Sequence, residues 1–151
     1  MKATFGAGCF WHVEDLLNKT KGVKSTTVGY IGGQLQNPTY EEVCTDKTGH
    51  AEAVEVEYDP DEISFEDLLN VFWTNHNPTT LNRQGLDVGI QYRSAIFYHD
   101  ETQKEIAEKS KQELDQTDKF DNPIVTEIVP APTFYKAEEY HQKYFKKHGF
   151  S

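Results

Sequence analysis

A glycine-broken apolar strand over residues 3–7 runs, with only Gly8 and Cys9 between, into a helix whose apolar positions are Val13, Leu16 and Leu17. A strand joined to a helix by two residues commits the chain to a mixed α/β arrangement and puts a thiol at the junction. A thiol at a helix N-terminus feels the positive end of the backbone dipole and nearby unpaired N–H groups, which favours the reactive thiolate. Phe10 and Trp11 follow directly. Adjacent helical positions point about 100° apart, so both rings cannot pack inward and at least one stands beside the sulfur. Such a corner suits a small apolar group that carries an electrophile. Free cysteine is also among the most buried residue types, so Cys9 as a small packing hydrophobe stays open on this pattern alone. Gly6 and Gly8 favour the first reading, since they let a ligand approach the backbone closely.

Strand patterns recur at 23–30, 52–58, 92–98 and 124–129, and helical patterns cover 10–19, 65–76, 102–117 and 136–147. Ser64 and Asp100 stand as N-caps of the second and third helices, with Asp67 and Gln103 at the capping-box offset. Phe65, Leu68, Leu69 and Phe72 form a buried stripe. The order β-α-β-β-α-β, followed by a further helix, strand and helix, predicts a ferredoxin-like α/β sandwich with extra C-terminal helix and strand elements. At 151 residues the chain is expected to form one domain, residues 1–151. Two connections, 31–51 and 77–91, exceed the about 12–15 residues usual for loops inside a compact domain. Loops that long tend to be functional, and both are expected at the Cys9 end of the sheet.

In His50-Ala51-Glu52-Ala53-Val54-Glu55-Val56-Glu57-Tyr58 the strand period sorts the side chains into two sets. Glu52 falls in phase with Val54, Val56 and Tyr58, whereas Glu55 and Glu57 fall on the other face. A carboxyl on the apolar face loses hydration and its pKa rises, which is what a proton donor near neutral pH requires. A strand frayed at its start, with Glu52 reaching water, is the alternative.

Fifteen Lys and Arg against 25 Asp and Glu leave a net charge of −10. That argues against nucleic acid or an anionic membrane as partner. No run reaches transmembrane length, and residues 1–8 lack the apolar core of a signal peptide. Two cysteines, Cys9 and Cys44, make no disulfide framework, so a cytoplasmic setting is expected. Cys9 and His12 are half a zinc site, but the other histidines and Cys44 have no complementary pair spacing, and no metal is expected.

With Glu14 after Gly8-Cys9-Phe10-Trp11, the chain resembles the peptide methionine sulfoxide reductases specific for the S epimer, the MsrA family. The likeness continues through Val28-Gly29-Tyr30 with Gly32-Gly33, Asn37-Pro38-Thr39-Tyr40 and Thr48-Gly49-His50-Ala51-Glu52-Ala53. It extends over Phe72-Trp73 with Asn75-His76, Asn82-Arg83-Gln84-Gly85 with Asp87 and Gly89, and Gln91-Tyr92-Arg93-Ser94. The resemblance implies thiol-dependent reduction of methionine S-sulfoxide, free or in oxidised proteins, to methionine. It implies Cys9 as nucleophile, Phe10 and Trp11 as walls of the methyl pocket, and Glu52 as the acid at the sulfoxide oxygen. Tyr40, Asp87 and Tyr92 match the remaining polar members of that site. The cycle so implied passes through a Cys9 sulfenic acid and needs no cofactor. Its reductant is a thioredoxin- or glutaredoxin-like partner or a small thiol, and the enzyme is expected to be a monomer.

Many relatives carry resolving cysteines in a C-terminal segment after a Gly-Tyr pair, whereas this sequence reads His148-Gly149-Phe150-Ser151. Cys44 is the possible resolving thiol, and a Cys9–Cys44 disulfide needs Cα atoms within about 7 Å. Cys44 follows an expected short helix, 40–43, where packing inward is the commoner fate, so a single-cysteine cycle is favoured. Two rival readings remain at this stage. One is a Cys-based hydrolase or acyltransferase with His12, His50 or His76 as base. The other is a methionine-peptide binding module that uses only the Phe10/Trp11 wall.

Overall fold

The computed structural model describes residues 1–117 and 119–148. Strand β1 (Lys2–Ala7) leads through Gly8 and Cys9 into helix α1 (Phe10–Asn18) and then β2 (Val23–Ile31). After the short helix α2 (Tyr40–Val43) come β3 (Ala51–Tyr58), helix α3 (Phe65–Thr74) and a small hairpin, β4 (Arg83–Gln84) with β5 (Asp87–Val88). Strand β6 (Ser94–Tyr98), helix α4 (Glu101–Asp115), β7 (Glu127–Pro130), β8 (Tyr135–Lys136) and helix α5 (Tyr144–Lys147) complete the chain. The main sheet has the order β7-β6-β1-β3-β2-β8. Its four inner strands are antiparallel in the ferredoxin-like order, β7 adds parallel to β6, and β8 adds antiparallel to β2.

Local chemistry sets the helix starts. Ser64 and Asp67 form a reciprocal capping box on α3, and the Asp100 carboxylate accepts the Gln103 N–H at the start of α4. The apolar stripe of α3 (Phe65, Leu68, Leu69, Phe72, Trp73) packs with Phe10 and Leu17 of α1 on Phe5, Val28, Val54, Val56 and Ile96. A second, smaller cluster lies on the opposite face. There Ile31, Ala51, Ala53, Ala95 and Phe97 are covered by Val129, Ala131 and Phe134. Among the described residues no helix is long and apolar enough to cross a membrane.

Three expected elements differ. The strand expected from 92 begins at Ser94, because Tyr92 donates its N–H to the Gly89 carbonyl and closes a 3-10 turn, Ile90–Tyr92. The strand expected at 124–129 pairs only from Glu127, since Val125 N–H goes to the Pro78 carbonyl and the Thr126 carbonyl accepts from Lys111 Nζ. The helix expected over 136–147 is broken into β8, a 3-10 turn (Glu139–His141) and α5. Its backbone is recruited elsewhere. The Gln142 side-chain amide accepts the Val28 N–H and donates to the Val28 carbonyl, both at 2.9 Å, as a strand partner would. Lys143 takes a left-handed conformation (φ 55°) and gives its N–H to Glu14 at 2.6 Å. The terminal Gly149-Phe150-Ser151 lies outside the described residues.

Candidate active site

Cys9 is the N-cap of α1, half-buried at the end of β1. Gly8 before it has φ +95°, and a Cβ there would sit 2.9 Å from Gln84 Cβ and Cγ, so only glycine lets the hairpin close against the thiol's loop. Gln84 accepts the Asn77 N–H through Oε1 at 3.0 Å, and Asp46 Oδ1 accepts the Ile90 N–H at 2.6 Å. The second of these bonds ties the two long loops to each other, and Gly8 against Gln84 sets them beside Cys9.

Glu52 lies at the start of β3 in phase with buried Val54, Val56 and Tyr58, and it is 1% exposed. The strand does not fray. Oε1 accepts the Phe10 N–H at 3.3 Å, while Oε2 is buried with no partner among the described residues. Burial, with the charge of Asp87 adding to it, drives the carboxyl up to about 8 against the pull of that N–H. At neutral pH Glu52 is therefore chiefly the protonated acid.

The thiol departs from the expectation of a stabilised thiolate. The backbone N–H groups of Trp11 and His12 do pull its pKa down, but burial pushes harder, and the charges of Glu52 and Asp87 add to it. The outcome is a thiol raised to about 11: desolvation in this closed corner outweighs the helix N-terminus.

Tyr40, Asp87 and Tyr92 come from α2, the hairpin and the 3-10 turn, and all are drawn into the same electrostatic cluster. Burial pushes the Tyr92 phenol up to about 12, and the charges of Glu52, Cys44, Asp87 and Cys9 add to that. Tyr40 is raised by burial and by a hydrogen bond with the Cys44 thiol. Cys44, expected to pack inward, is exposed instead. It caps the C-terminus of a four-residue helix whose inward position is taken by Val43. Phe10 is 1% exposed and packs on Tyr30 and His141, with centroids 5.8 and 5.2 Å away. Trp11 is half-buried, with Tyr144 stacked on it at 3.7 Å.

Sequence reasoning missed the residues behind these walls. Glu138 accepts from Tyr30 OH and from the Tyr40 N–H, each at 2.9 Å, and buried His141 accepts from Trp11 Nε1 at 3.0 Å. One signal was available: Glu14 shares the buried helical face of Phe10 and Leu17, a carboxylate that calls for a partner.

The hydrolase reading loses its base. His50 hydrogen-bonds the Gly33 N–H and the Leu35 carbonyl, His76 bonds the Phe72 carbonyl and Ser94 Oγ, and His12 is an exposed ring edge-on to Phe145. None of the three imidazoles is among the groups that act on Cys9, where His12 contributes only its backbone N–H.

Residues 1–150 match the family described as peptide methionine sulfoxide reductase. The peptide methionine sulfoxide reductase MsrA of Methanothermobacter thermautotrophicus is 62% identical over 146 residues, covering 97% of this chain and 86% of that one. The namesake from Methanosarcina acetivorans is 61% identical, covering 99% and 79%. Among solved structures, reduced Mxr1 from Saccharomyces cerevisiae superposes with a TM-score of 0.93 at 36% identity, over 100% of this chain and 87% of that one. Mxr1 in complex with Trx2 superposes at 0.68 with 29% identity, over 95% and 84%. With this similarity running from end to end and a thiol set beside a buried acid, the chain belongs to the peptide methionine sulfoxide reductases, oxidoreductases that return methionine sulfoxide to methionine and so repair oxidised protein.

Proposed function

We propose that Cys9 is the nucleophile of this reaction and Glu52 its acid, acting on the S epimer of methionine sulfoxide, free or within a polypeptide. The observation that carries the reading is Oε2 of a buried, protonated Glu52, which has no partner among the described residues. A sulfoxide sulfur becomes electrophilic once its oxygen is protonated or strongly hydrogen-bonded. Phe10 N–H holds Oε1, which leaves the other carboxyl oxygen to give its proton to the sulfoxide oxygen. The carboxylate left behind is a base next to the Cys9 thiol, so both raised pKa values serve one exchange. Attack of the Cys9 sulfur forms a bond to the substrate sulfur. The oxygen leaves the substrate sulfur as the S–O bond breaks and is taken up at the Cys9 sulfur, and cleavage of the sulfur–sulfur bond releases the thioether. Cys9–SH and sulfoxide become Cys9–SOH and thioether, with no net change in protons. Tyr40 and Tyr92 hold the oxygen, Phe10 and Trp11 enclose the methyl group, and Asp87 helps keep Glu52 protonated.

For regeneration, the reading is a single-cysteine cycle in which a thioredoxin-like protein or a small thiol reduces the sulfenic acid, as a monomer in the thiol-reducing cytoplasm. The yeast Mxr1–Trx2 complex supports such a partner. Exposure of Cys44 beside Tyr40, with Tyr92 feeling both thiols, gives a Cys9–Cys44 disulfide as the second reading. Incubation of the protein with a sulfoxide peptide and excess dithiothreitol tests the first claim: turnover stops when one epimer is consumed. Counting free thiols after one turnover without reductant tests the second. One remaining thiol supports the sulfenic acid, and none, with a mass loss of two hydrogens, supports the disulfide.

A further inference from the structure

Three side chains of the site converge on one histidine that the reaction does not use. His141 is 1% exposed, and its ring lies 5.2 Å from Phe10, 5.6 Å from Trp11 and 4.5 Å from Tyr40, centroid to centroid. Its Nδ1 accepts the Trp11 Nε1–H at 3.0 Å. An imidazole nitrogen accepts only when it carries no proton, so the proton resides on Nε2, which is buried with no partner among the described residues. The Trp11 indole is thus held at its edge by His141 and on its face by Tyr144, stacked at 3.7 Å and 7°. The segment carrying both is itself fastened. Glu14 pairs with Lys143 Nζ at 3.3 Å, and the Gln142 amide is paired with the Val28 backbone.

We propose that His141 is a positioning residue for the substrate methyl group: by accepting the Trp11 Nε1–H in its neutral form it fixes the indole wall, and it releases that wall when protonated. This rests on the reading of the Cys9 corner as the sulfoxide site. A methyl group offers no hydrogen bond, so only the shape of its pocket places it, and a wall free to turn loses those contacts. Glu138 and Glu41 face His141 and favour its charged form, but burial outweighs them and holds it below its ordinary 6.5. The phenols of Tyr40 and Tyr140 are raised and face it uncharged. Tyr30 is committed to Glu138, and Glu14 on α1 to Lys143.

The test is KM and kcat for a sulfoxide peptide from about pH 5 to about pH 8, with Trp11 emission read in a Trp73→Phe background. In the wild type, KM rises about fivefold as the pH falls below the ordinary histidine value, kcat moves little, and the emission shifts red in step. His141→Asn keeps an acceptor that does not titrate in this range, so its KM stays low and flat. His141→Phe keeps a ring without an acceptor, so its KM is high at every pH. A wild-type KM in His141→Phe, or a His141→Asn profile that follows the wild type, overturns the proposal. If the Phe variant fails to fold, the wild-type and Asn profiles decide. A wild type without turnover would sink the sulfoxide reading itself, whereas the emission titration would still decide whether His141 holds Trp11.

Discussion

Glu14 and Glu52 are both 1% exposed, and both sit on the apolar face of their element, yet their surroundings make them opposites. Glu14 Oε1 accepts the Lys143 N–H at 2.6 Å, and its Oε2 accepts from Thr26 Oγ1 at 2.9 Å and Lys143 Nζ at 3.3 Å. Every oxygen is answered, one partner is a cation, and the group fastens the C-terminal segment to α1 and β2. Glu52 has one long bond from a backbone N–H and one oxygen with no hydrogen-bond partner among the described residues. Burial alone therefore does not make a catalytic acid. In the proposed mechanism the difference lies in the Glu52 oxygen that has no hydrogen-bond partner among the described residues, because the proton then stays on the group until a substrate takes it.

Substitution of the proposed nucleophile is expected to have the largest effect. Cys9→Ser should abolish turnover while leaving the fold intact, since a hydroxyl is a far weaker nucleophile at sulfur; reduction above background would remove Cys9 from the mechanism. Glu52→Gln should cost roughly 10²–10⁴ in rate, because the amide donates a hydrogen bond but delivers no proton. The defect should shrink as the pH falls and solvent supplies the proton. Glu14→Gln should stay within about tenfold, as its role is to hold rather than to react. Equal losses in the two glutamine variants would break the contrast.

Much of this was legible in the sequence, for physical reasons. The period-two alternation of β3 places Glu52 on the core face, and the Ser64 and Asp100 caps mark where α3 and α4 begin. The C-terminal segment was not legible. Residues 136–147 carry a helical pattern, but Gln142 and Lys143 spend their hydrogen bonds on Val28, Thr26 and Glu14, more than a hundred residues away in the chain. The Cys9 thiol was misjudged for a related reason. Helix-end N–H groups can be read from local sequence, whereas burial of the thiol in the finished fold cannot.

Glu14→Ala takes the carboxylate from the Lys143 ammonium, which is about one-third exposed and keeps only the Thr26 carbonyl of its two partners, and should destabilise the fold by about 3 kcal/mol in denaturant melts. Lys143→Ala in the same background should add less than it does alone, because the partner is already gone. Strict additivity would mean that the pair is not coupled.

Glu52 should show its cost as a pH dependence. Its carboxyl titrates near 8 in the fold and near 4.5 when unfolded, so between those values the unfolded chain releases a proton that the folded one keeps. Stability must then fall as the pH rises through that window and level off above it, by about 3 kcal/mol between about pH 5 and about pH 8. The Glu52→Gln variant lacks the titration, so its stability relative to wild type should grow by that amount over the same range. A constant difference would mean that Glu52 is ionised in the fold, and the proposed acid would be lost with it.

The smallest expected effect separates delivering a proton from holding an oxygen. Tyr92, at about 12, and Tyr40, also raised, stay protonated at every working pH, so each can donate a hydrogen bond but not transfer its proton. Removing one donor while the other remains forfeits about 1 kcal/mol, so Tyr40→Phe and Tyr92→Phe should each lower kcat/KM about fivefold. The double variant should lose more than the product of the two, since nothing then fixes the oxygen against Glu52. These losses should be the same at low and neutral pH, in contrast to the Glu52→Gln defect, which shrinks as the pH falls. A phenylalanine variant whose deficit fades in acid like that of Glu52→Gln would give the proton to a phenol and reduce Glu52 to a buried carboxyl like Glu14.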